Sequence, residues 1–214
     1  MKTNETERIN EADWAKYIVE IINSKLSELF PNHKLCAETE KPLQYAYEID
    51  EYEHENDKGI EPETPPMKFK TDILIFEERI NNRWKPRVVI ETKIRGVTTH
   101  DAITYSKKAA NHKAVHPYIR YGIFVGKIEH IPKRLIRHGE NFDFMITWAN
   151  DKPTPKELDN FMKLIKQEVE ASLQLDHIYG RQEIGKESKK YTLLHRPLVL
   201  MNNNDANSGA DIEL

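Results

Sequence analysis

The stretch from Phe69 to Ile94, FKTDILIFEERINNRWKPRVVIETKI, is the most informative part of this chain of 214 residues. It contains two runs rich in apolar and β-branched residues, 69–77 and 87–94, on either side of the dipeptide Asn81–Asn82. Asparagine between such runs is typical of a tight turn, because its side chain tolerates the left-handed backbone conformation. The stretch therefore predicts two β-strands that pair through a turn at these asparagines.

Charged side chains interrupt the second predicted strand. Alternation along a strand places Val89, Glu91 and Lys93 on one face, so Glu91 and Lys93 are neighbours about 7 Å apart at Cα. An apolar run that simply continued into the core would not carry such a pair. Asp72 lies at the start of the first apolar strand, and pairing of the two strands would bring it beside Glu91.

Two carboxylates and a lysine in this arrangement suit phosphodiester hydrolysis. Carboxylates held close together attract a hard divalent cation such as Mg²⁺, and Lys93 can orient or help deprotonate an attacking water and offset phosphate charge. The alternative is a salt-bridged strand end, which is the commoner meaning of a Glu-x-Lys pair in a strand. The catalytic interpretation is favoured because Asp72 precedes Glu91 by 19 residues on the neighbouring strand, and a basic helix follows.

The rest of the chain predicts helices and further strands around this hairpin. An amphipathic helix is expected over residues 8–30, and a weakly marked strand over residues 34–39. Thr98 and Asp101 are expected to cap a helix that continues to about His112. The helix at residues 8–30 carries an apolar stripe of Trp14, Tyr17, Ile18, Ile21, Ile22 and Leu29. The pattern further predicts strands over 118–125 and 142–148 and a helical turn over 132–137.

A capping signal, Thr154-Pro155-Lys156-Glu157, opens the last predicted helix. Its apolar face is Leu158, Phe161, Met162, Ile165, Val169 and Leu173. Trp14 and Trp148 are predicted core residues. The order helix, strands, helix, strand, strand, helix predicts an α/β fold with a mixed sheet flanked by helices.

The pattern Asp72…Glu91-Thr92-Lys93 resembles the D…E-x-K signature of the PD-(D/E)xK nuclease superfamily. The resemblance covers about residues 11–148, including the order of elements. It implies a restriction-endonuclease-like mixed central β-sheet flanked by helices, here with an added C-terminal helix. It also implies that Asp72, Glu91 and the Thr92 carbonyl hold the metal and that Lys93 positions or activates water. The residue before Asp72 is Thr71 rather than proline, a departure that many members share.

Members of this superfamily often add a glutamate from the first helix to the metal site. Glu11 is the candidate, because Trp14, Ile18 and Ile22 continue its stripe toward the sheet. The alternative is an acidic residue that simply favours the helix N-terminus. Glu20 and Glu28 rank lower, because they fall on the opposite face and on the edge of the stripe.

The helix after the motif offers candidate contacts to nucleic acid, namely Thr104, Lys107, Lys108 and His112. Thr104, Lys108 and His112 are spaced four residues apart and share one face. In the fold that this chain resembles, the helix flanks the active site, and its polar residues touch the scissile phosphate. The alternative is a solvated basic face with no partner.

Charge is distributed unevenly along the chain. Residues 37–78 carry 13 acidic and 4 basic residues, whereas residues 79–140 carry 14 basic and 4 acidic residues. A basic segment of this kind is the electrostatic footprint of a polyanion, unless the two segments pair with each other. The acidic stretch 48–66 ends in prolines and predicts an exposed loop.

Several other classes of protein are excluded or disfavoured. The single cysteine, Cys36, rules out an internal disulfide framework and fits a reducing cytoplasm. A mean hydropathy of -0.72 and a polar start predict neither a membrane span nor a secretory signal. His112 and His116 lack further Cys or His partners for zinc. Gly122 and Gly126 lack the Lys-Ser/Thr of a phosphate-binding loop.

These observations predict a cytoplasmic endodeoxyribonuclease that depends on Mg²⁺, with Mn²⁺ as a substitute, and acts on double-stranded DNA in a restriction or defence system. Residues 1–180 are expected to form the nuclease-like domain, 181–201 a docking or dimerisation segment, and 202–214 a disordered tail. A homodimer is expected, because cutting both strands requires two sites.

Two alternatives remain open at this stage. One is a nuclease effector directed at RNA or single strands, for which Trp84, Tyr118 and Tyr121 could supply stacking platforms. The other is a nucleic-acid-binding module of the same fold without catalytic activity, although binding alone does not require Asp72, Glu91 and Lys93.

Overall fold

The computed structural model of the chain describes residues 9–180. The predicted segments 181–201 and 202–214 lie outside the described residues. Four helices are present: α1 (Glu11–Leu29), α2 (Thr99–Val115), α3 (Lys133–His138) and α4 (Pro155–Gly180). The strands are β1 (Leu35–Thr39), β2 (Pro42–Gln44), β3 (Glu51–Tyr52), β4 (Gly59–Ile60), β5 (Lys68–Lys70), β6 (Ile73–Arg79), β7 (Arg83–Ile94), β8 (Arg120–Gly126) and β9 (Phe144–Trp148).

Five strands form the central sheet in the order β1-β6-β7-β8-β9. The pairs β1–β6 and β6–β7 are antiparallel, whereas β7–β8 and β8–β9 are parallel. The prediction of a mixed α/β fold with a mixed central sheet is therefore confirmed. Parallel strands require crossover connections, and α2 and α3 lie in the two crossovers.

Helices cover both faces of this sheet. α1 and α4 pack on one face around the buried side chains of Trp14, Trp148 and Phe161, as predicted for the two tryptophans. α2 and α3 cover the other face through Ala102 and Leu135. Within the described part of the chain, none of the helices is long and apolar enough to cross a bilayer.

The predicted helix caps form as the sequence indicates. The Thr98 hydroxyl accepts a hydrogen bond from the Asp101 N–H at 3.1 Å, and the Asp101 carboxylate accepts one from the Thr98 N–H at 2.8 Å. Thr154 and Glu157 make the equivalent reciprocal pair at the start of α4. Each cap satisfies backbone N–H groups that have no partner within the helix.

The predicted strand over residues 69–77 is divided in the structure. β5 pairs with β2 in a small two-stranded sheet, and β6 begins only at Ile73. Between them, the N–H and the hydroxyl of Thr71 both donate to the Lys41 carbonyl, at 3.2 and 3.0 Å. The chain therefore changes its pairing partner at Thr71, and Asp72 lies in the break.

The second predicted strand is longer than expected and contains a β-bulge. The turn before it is confirmed, since Asn81 and Asn82 have φ values of 59° and 55°. Ile75 then lies opposite Val88, but Phe76 lies opposite Pro86, so Arg87 is the extra residue. A bulge of this kind shifts the alternation of side chains by one position.

The acidic stretch 48–66 is exposed, as predicted, but it contains a short hairpin of β3 and β4. It connects the two strands of the small β2–β5 sheet. His112 and His116 on α2 donate to the Gln44 carbonyl at the end of β2, at 3.1 and 3.2 Å. The stretch exposes Ile49, Tyr52 and Ile60 between its carboxylates, and Tyr47 is exposed just before it.

Candidate active site

The structure brings Asp72 and Glu91 together. Ile73 pairs with Ile90 at the end of the β6–β7 ladder, so the next residues along, Asp72 and Glu91, are cross-strand neighbours. Their side chains lie on the face covered by α2. The Asp72 Oδ2 accepts hydrogen bonds from the Thr92 N–H at 2.8 Å and from the Thr92 hydroxyl at 3.2 Å. These two bonds fix the orientation of the Asp72 carboxylate.

Glu91 is a fully buried acid, with 0% of its surface exposed. Its Oε1 accepts hydrogen bonds from Lys108 Nζ at 2.9 Å and from the Tyr121 hydroxyl. Its Oε2 is also buried, and it accepts no hydrogen bond from any residue in 9–180. Burial raises the pKa of Glu91, and the negative charge of Asp72 raises it further against the opposing effect of Lys108.

Lys93 stands beside this pair and is held by two other side chains. Its Nζ lies 3.2 Å from Glu11 Oε2 and 5.4 Å from the centre of the Tyr105 ring. Burial alone would lower the pKa of Lys93, but hydrogen bonds to Tyr105 and Glu11 outweigh burial and raise that pKa. Lys93 is therefore an ammonium ion at neutral pH, which suits it to orient water and bind phosphate rather than to accept a proton.

Glu11, for which the resemblance implies a metal ligand, lies beside Lys93. Its carboxylate pairs with Lys93 and accepts the Ile94 N–H at 3.4 Å, and its role as a ligand stays a prediction. Across residues 9–180, no group of three or more His, Cys, Asp or Glu side chains is gathered in a way that could hold a metal. The described carboxylates at this site are therefore two, Asp72 and Glu91, with peptide oxygens and water needed to complete a metal shell.

The donor set of Asp72 and Glu91 fits a hard divalent cation. Glu91 has a buried oxygen with no hydrogen-bond donor, and the adjacent Asp72 carboxylate adds like charge. A cation that prefers oxygen ligands, such as Mg²⁺ or Mn²⁺, would compensate the negative charge of both carboxylates. Thr92 lies between the acid and Lys93 in sequence, where the resemblance implies a carbonyl ligand. Without a cation, Lys108 supplies the counter-charge to Glu91.

The four predicted nucleic-acid contacts on α2 differ in accessibility. Thr104 and Lys107 are exposed, and Lys108 is turned toward Glu91. The prediction for His112 is corrected, because its side chain is 0% exposed and its ring stacks on Tyr121 with centroids 5.6 Å apart. Burial lowers the pKa of His112 to about 4, so the ring is neutral at physiological pH.

Sequence reasoning missed the two tyrosines that complete the site. Helical spacing could have placed Tyr105 at the site, because it lies three residues before Lys108 on α2. In the structure, Lys93 and Lys108 both lie over the Tyr105 ring. Tyr121 was assigned only as a stacking platform, and it is 0% exposed beneath Glu91. No local signal marks it, because β8 becomes the neighbour of β7 only through the crossover.

The other two aromatic residues considered for stacking lie away from this site. Lys85 Nζ lies 4.6 Å from the centre of the half-buried Tyr118 ring, whereas Trp84 is 39% exposed near the β6–β7 turn. Cys36 is half-buried, and burial raises the pKa of its thiol.

Neither family models nor curated proteins yield a match to this sequence. The geometry of Asp72, Glu91 and Lys93 therefore carries the functional argument.

Proposed function

We propose that this chain is a Mg²⁺-dependent endonuclease that hydrolyses phosphodiester bonds in double-stranded DNA, with a restriction-endonuclease-like fold. The observation that carries the proposal is the buried Glu91: its Oε2 accepts no hydrogen bond within residues 9–180, Asp72 is its cross-strand neighbour, and the charged Lys93 follows two residues later. A structural ion pair does not need a second carboxylate, because one acid suffices to neutralise one lysine.

Asp72 and Glu91 would hold the ion, with the Thr92 carbonyl as a further ligand. When bound there, Mg²⁺ supplies polarisation of the phosphate and activation of water. The Thr92 N–H and hydroxyl hold the Asp72 carboxylate in one orientation throughout. Preorganisation of this kind matters because a charged group that must reorient during the reaction loses much of its effect.

Lys93 contributes a positive charge at a fixed position. Glu11 and Tyr105 hold its side chain from α1 and α2, so the ammonium group can donate to a phosphate oxygen and orient the attacking water. Its raised pKa keeps the proton on Nζ across the physiological range. Lys93 therefore acts by position and charge, and another group or solvent must take the proton that water releases.

We further propose that the substrate is duplex DNA and that the active species is a homodimer in a restriction or defence system. The excess of basic residues over 79–140 supports a polyanionic substrate. Two copies related by two-fold symmetry would place one site on each strand.

Wild type and Lys93→Ala, incubated with supercoiled and linear duplex DNA, test this function. Wild type is expected to cut in Mg²⁺ or Mn²⁺ and not in EDTA, and Lys93→Ala is expected to lose roughly 100-fold or more in rate while it still binds DNA. Lys25→Ala, an exposed lysine on α1 that pairs with Glu28, is the control and should cut like wild type. Absence of cutting on duplex DNA with either metal would refute the proposal.

A further inference from the structure

Helix α3 lies directly against the half of α2 that flanks the candidate active site. Leu135 of α3 is buried in one cluster with Val97 and Ala102, and Tyr105 packs against the same cluster. Tyr105 also contacts Lys93. One tyrosine therefore links Lys93 to the packing that holds α3.

Exposed cations cover this region, which we name the α2–α3 cationic surface. Its members share three properties: they are exposed, they carry a positive charge, and within residues 9–180 no carboxylate lies within ion-pair distance of them. They are Arg95, Lys107, Lys133, Arg134 and Arg137. Four exposed lysines on α1 and α4 differ, because each of them has an acidic partner: Lys16, Lys25, Lys163 and Lys166.

Five cations without an ion-pair partner, on α3, on α2 and just before α2, repel one another, so a polyanion would be attracted to them. The α2–α3 cationic surface can therefore contact phosphates of a DNA strand.

We propose that the α2–α3 cationic surface binds the phosphate backbone of duplex DNA beside the scissile bond. The inference rests on the proposed function for its substrate, but binding itself requires no cleavage. A duplex is favoured over a single strand because the large exposed apolar side chains on this surface are Ile103 and Ile136, and no exposed aromatic ring for base stacking belongs to it among the described residues.

The acidic stretch 48–66 reinforces the direction of binding. The chain enters this stretch shortly after Gln44, whose carbonyl accepts hydrogen bonds from His112 and His116 at the C-terminal end of α2, whereas α3 packs near the N-terminal half. The carboxylates of the stretch repel DNA, and the cations of α3 attract it. The duplex therefore leaves the site across α3 and away from the acidic hairpin.

The test compares two triple variants that remove the same charge. One is Lys133→Ala/Arg134→Ala/Arg137→Ala on α3, and the matched control is Lys25→Ala/Lys163→Ala/Lys166→Ala on α1 and α4. Fluorescence anisotropy with a labelled duplex in EDTA measures the Kd between about 50 and 200 mM salt. Far-UV circular dichroism verifies that both variants fold.

The α3 variant is expected to bind roughly 10- to 100-fold more weakly, with a salt dependence shallower by about 2 to 3 in the log–log slope. The control variant should stay within about twofold of wild type, since its lysines do not face the DNA. Equal weakening in both variants would show that only net charge matters and would overturn the inference. Preferential binding of wild type to single strands, to RNA or to anionic vesicles would overturn it as well.

These outcomes are separable from the fate of the proposed function. A protein that binds duplex through α3 in EDTA but never cuts it in Mg²⁺ upholds this inference and refutes the nuclease. A protein that cuts, while the α3 variant binds as tightly as wild type, upholds the nuclease and refutes this inference.

Discussion

Lys108 on α2 reaches Glu91 on β7, with 2.9 Å between Nζ and Oε1. The lysine side chain is 16% exposed and the glutamate side chain 0%, so this ion pair is largely shielded from solvent. Lys108 therefore supplies the charge compensation that a divalent cation would also supply. In the proposed function, Mg²⁺ would compete with Lys108 for one carboxylate.

Replacement of Lys108 by methionine should make the protein more responsive to Mg²⁺. In EDTA, Lys108→Met is expected to lose up to about 3 kcal/mol of stability, because Glu91 is left buried without its partner. Addition of Mg²⁺ should then raise the Tm of Lys108→Met by more than that of wild type. Lys107→Met, a change at the adjacent exposed residue, is the control in the same thermal melts. An identical Mg²⁺-induced rise in all three proteins would contradict competition.

Stability in EDTA should depend on pH through Glu91. Burial, with Asp72, raises its pKa in the folded state above the unfolded value near 4.5, so the folded state binds the proton more tightly. That contribution to stability is present below pH 4.5 and is lost as the pH rises through the folded pKa. Glu91→Gln is therefore expected to gain stability relative to wild type as the pH rises, measured by urea unfolding at several pH values.

Glu157 provides a comparison of opposite sign. Burial alone would raise the pKa of Glu157, but hydrogen bonds from Thr154 and Ala149 outweigh it and lower that pKa. Its contribution is present above the unfolded pKa and is lost as the pH falls through the folded one. Glu157→Gln should be destabilised at neutral pH, with the difference closing in acid. If the stability difference from wild type changed with pH in the same direction for both variants, the opposite pKa shifts of Glu91 and Glu157 would be contradicted.

Glu11→Gln should slow cleavage without changing the response to metal. The amide still reaches Lys93 but no longer holds the ammonium by charge, and a poorly positioned group costs roughly 10- to 100-fold in rate. Its side chain is 46% exposed, so the loss of stability should stay below about 1 kcal/mol. Glu20→Gln on the exposed face of α1 is the control. A marked rise in the Mg²⁺ concentration needed for half-maximal rate would instead make Glu11 a metal ligand.

Arg87→Met should unfold at markedly lower urea concentration than Arg79→Met. Arg87 is fully buried and donates to both Glu77 and Asp176, so its loss breaks two shielded ion pairs, although Arg79 still contacts Glu77 and Lys85 still contacts Asp176; the cost is about 3 kcal/mol. Arg79 contacts the same Glu77 carboxylate, but its side chain is 47% exposed, and its loss should cost less than about 1 kcal/mol. Similar urea midpoints for the two variants would refute this ranking.

The parts of the fold that the sequence predicts correctly depend on local physics. The cap formed by Thr98 and Asp101 depends only on residues three apart in the chain. The turn at Asn81–Asn82 forms because asparagine tolerates the left-handed backbone conformation. Alternation in β7 likewise puts Glu91 and Lys93 on one face. Asp72 meets Glu91 because the strands on either side of the turn pair as expected.

The features that the sequence does not predict depend on contacts between distant segments. Thr71 ends one strand because Lys41, thirty residues earlier, offers its carbonyl. His112 shares a helix face with exposed Thr104, but the β2–β5 sheet covers only the C-terminal half of that face. Tyr121 reaches Glu91 only because β8 lies next to β7.

The bulge at Arg87 determines which changes in length the hairpin can accept. On the turn side of the bulge, residues 76–86 pair in one register, and on the other side Asp72 and Glu91 belong to a second register. Insertions at the Asn81–Asn82 turn therefore leave the two carboxylates opposite each other. Deletion of Arg87 would place Pro86 directly before Val88 and make the ladder regular, so Glu91 would stay opposite Asp72, while the buried contacts of Arg87 with Glu77 and Asp176 would be lost. Relatives can therefore vary the number of residues between the two acids and keep the two carboxylates together. A search for them should leave that spacing open.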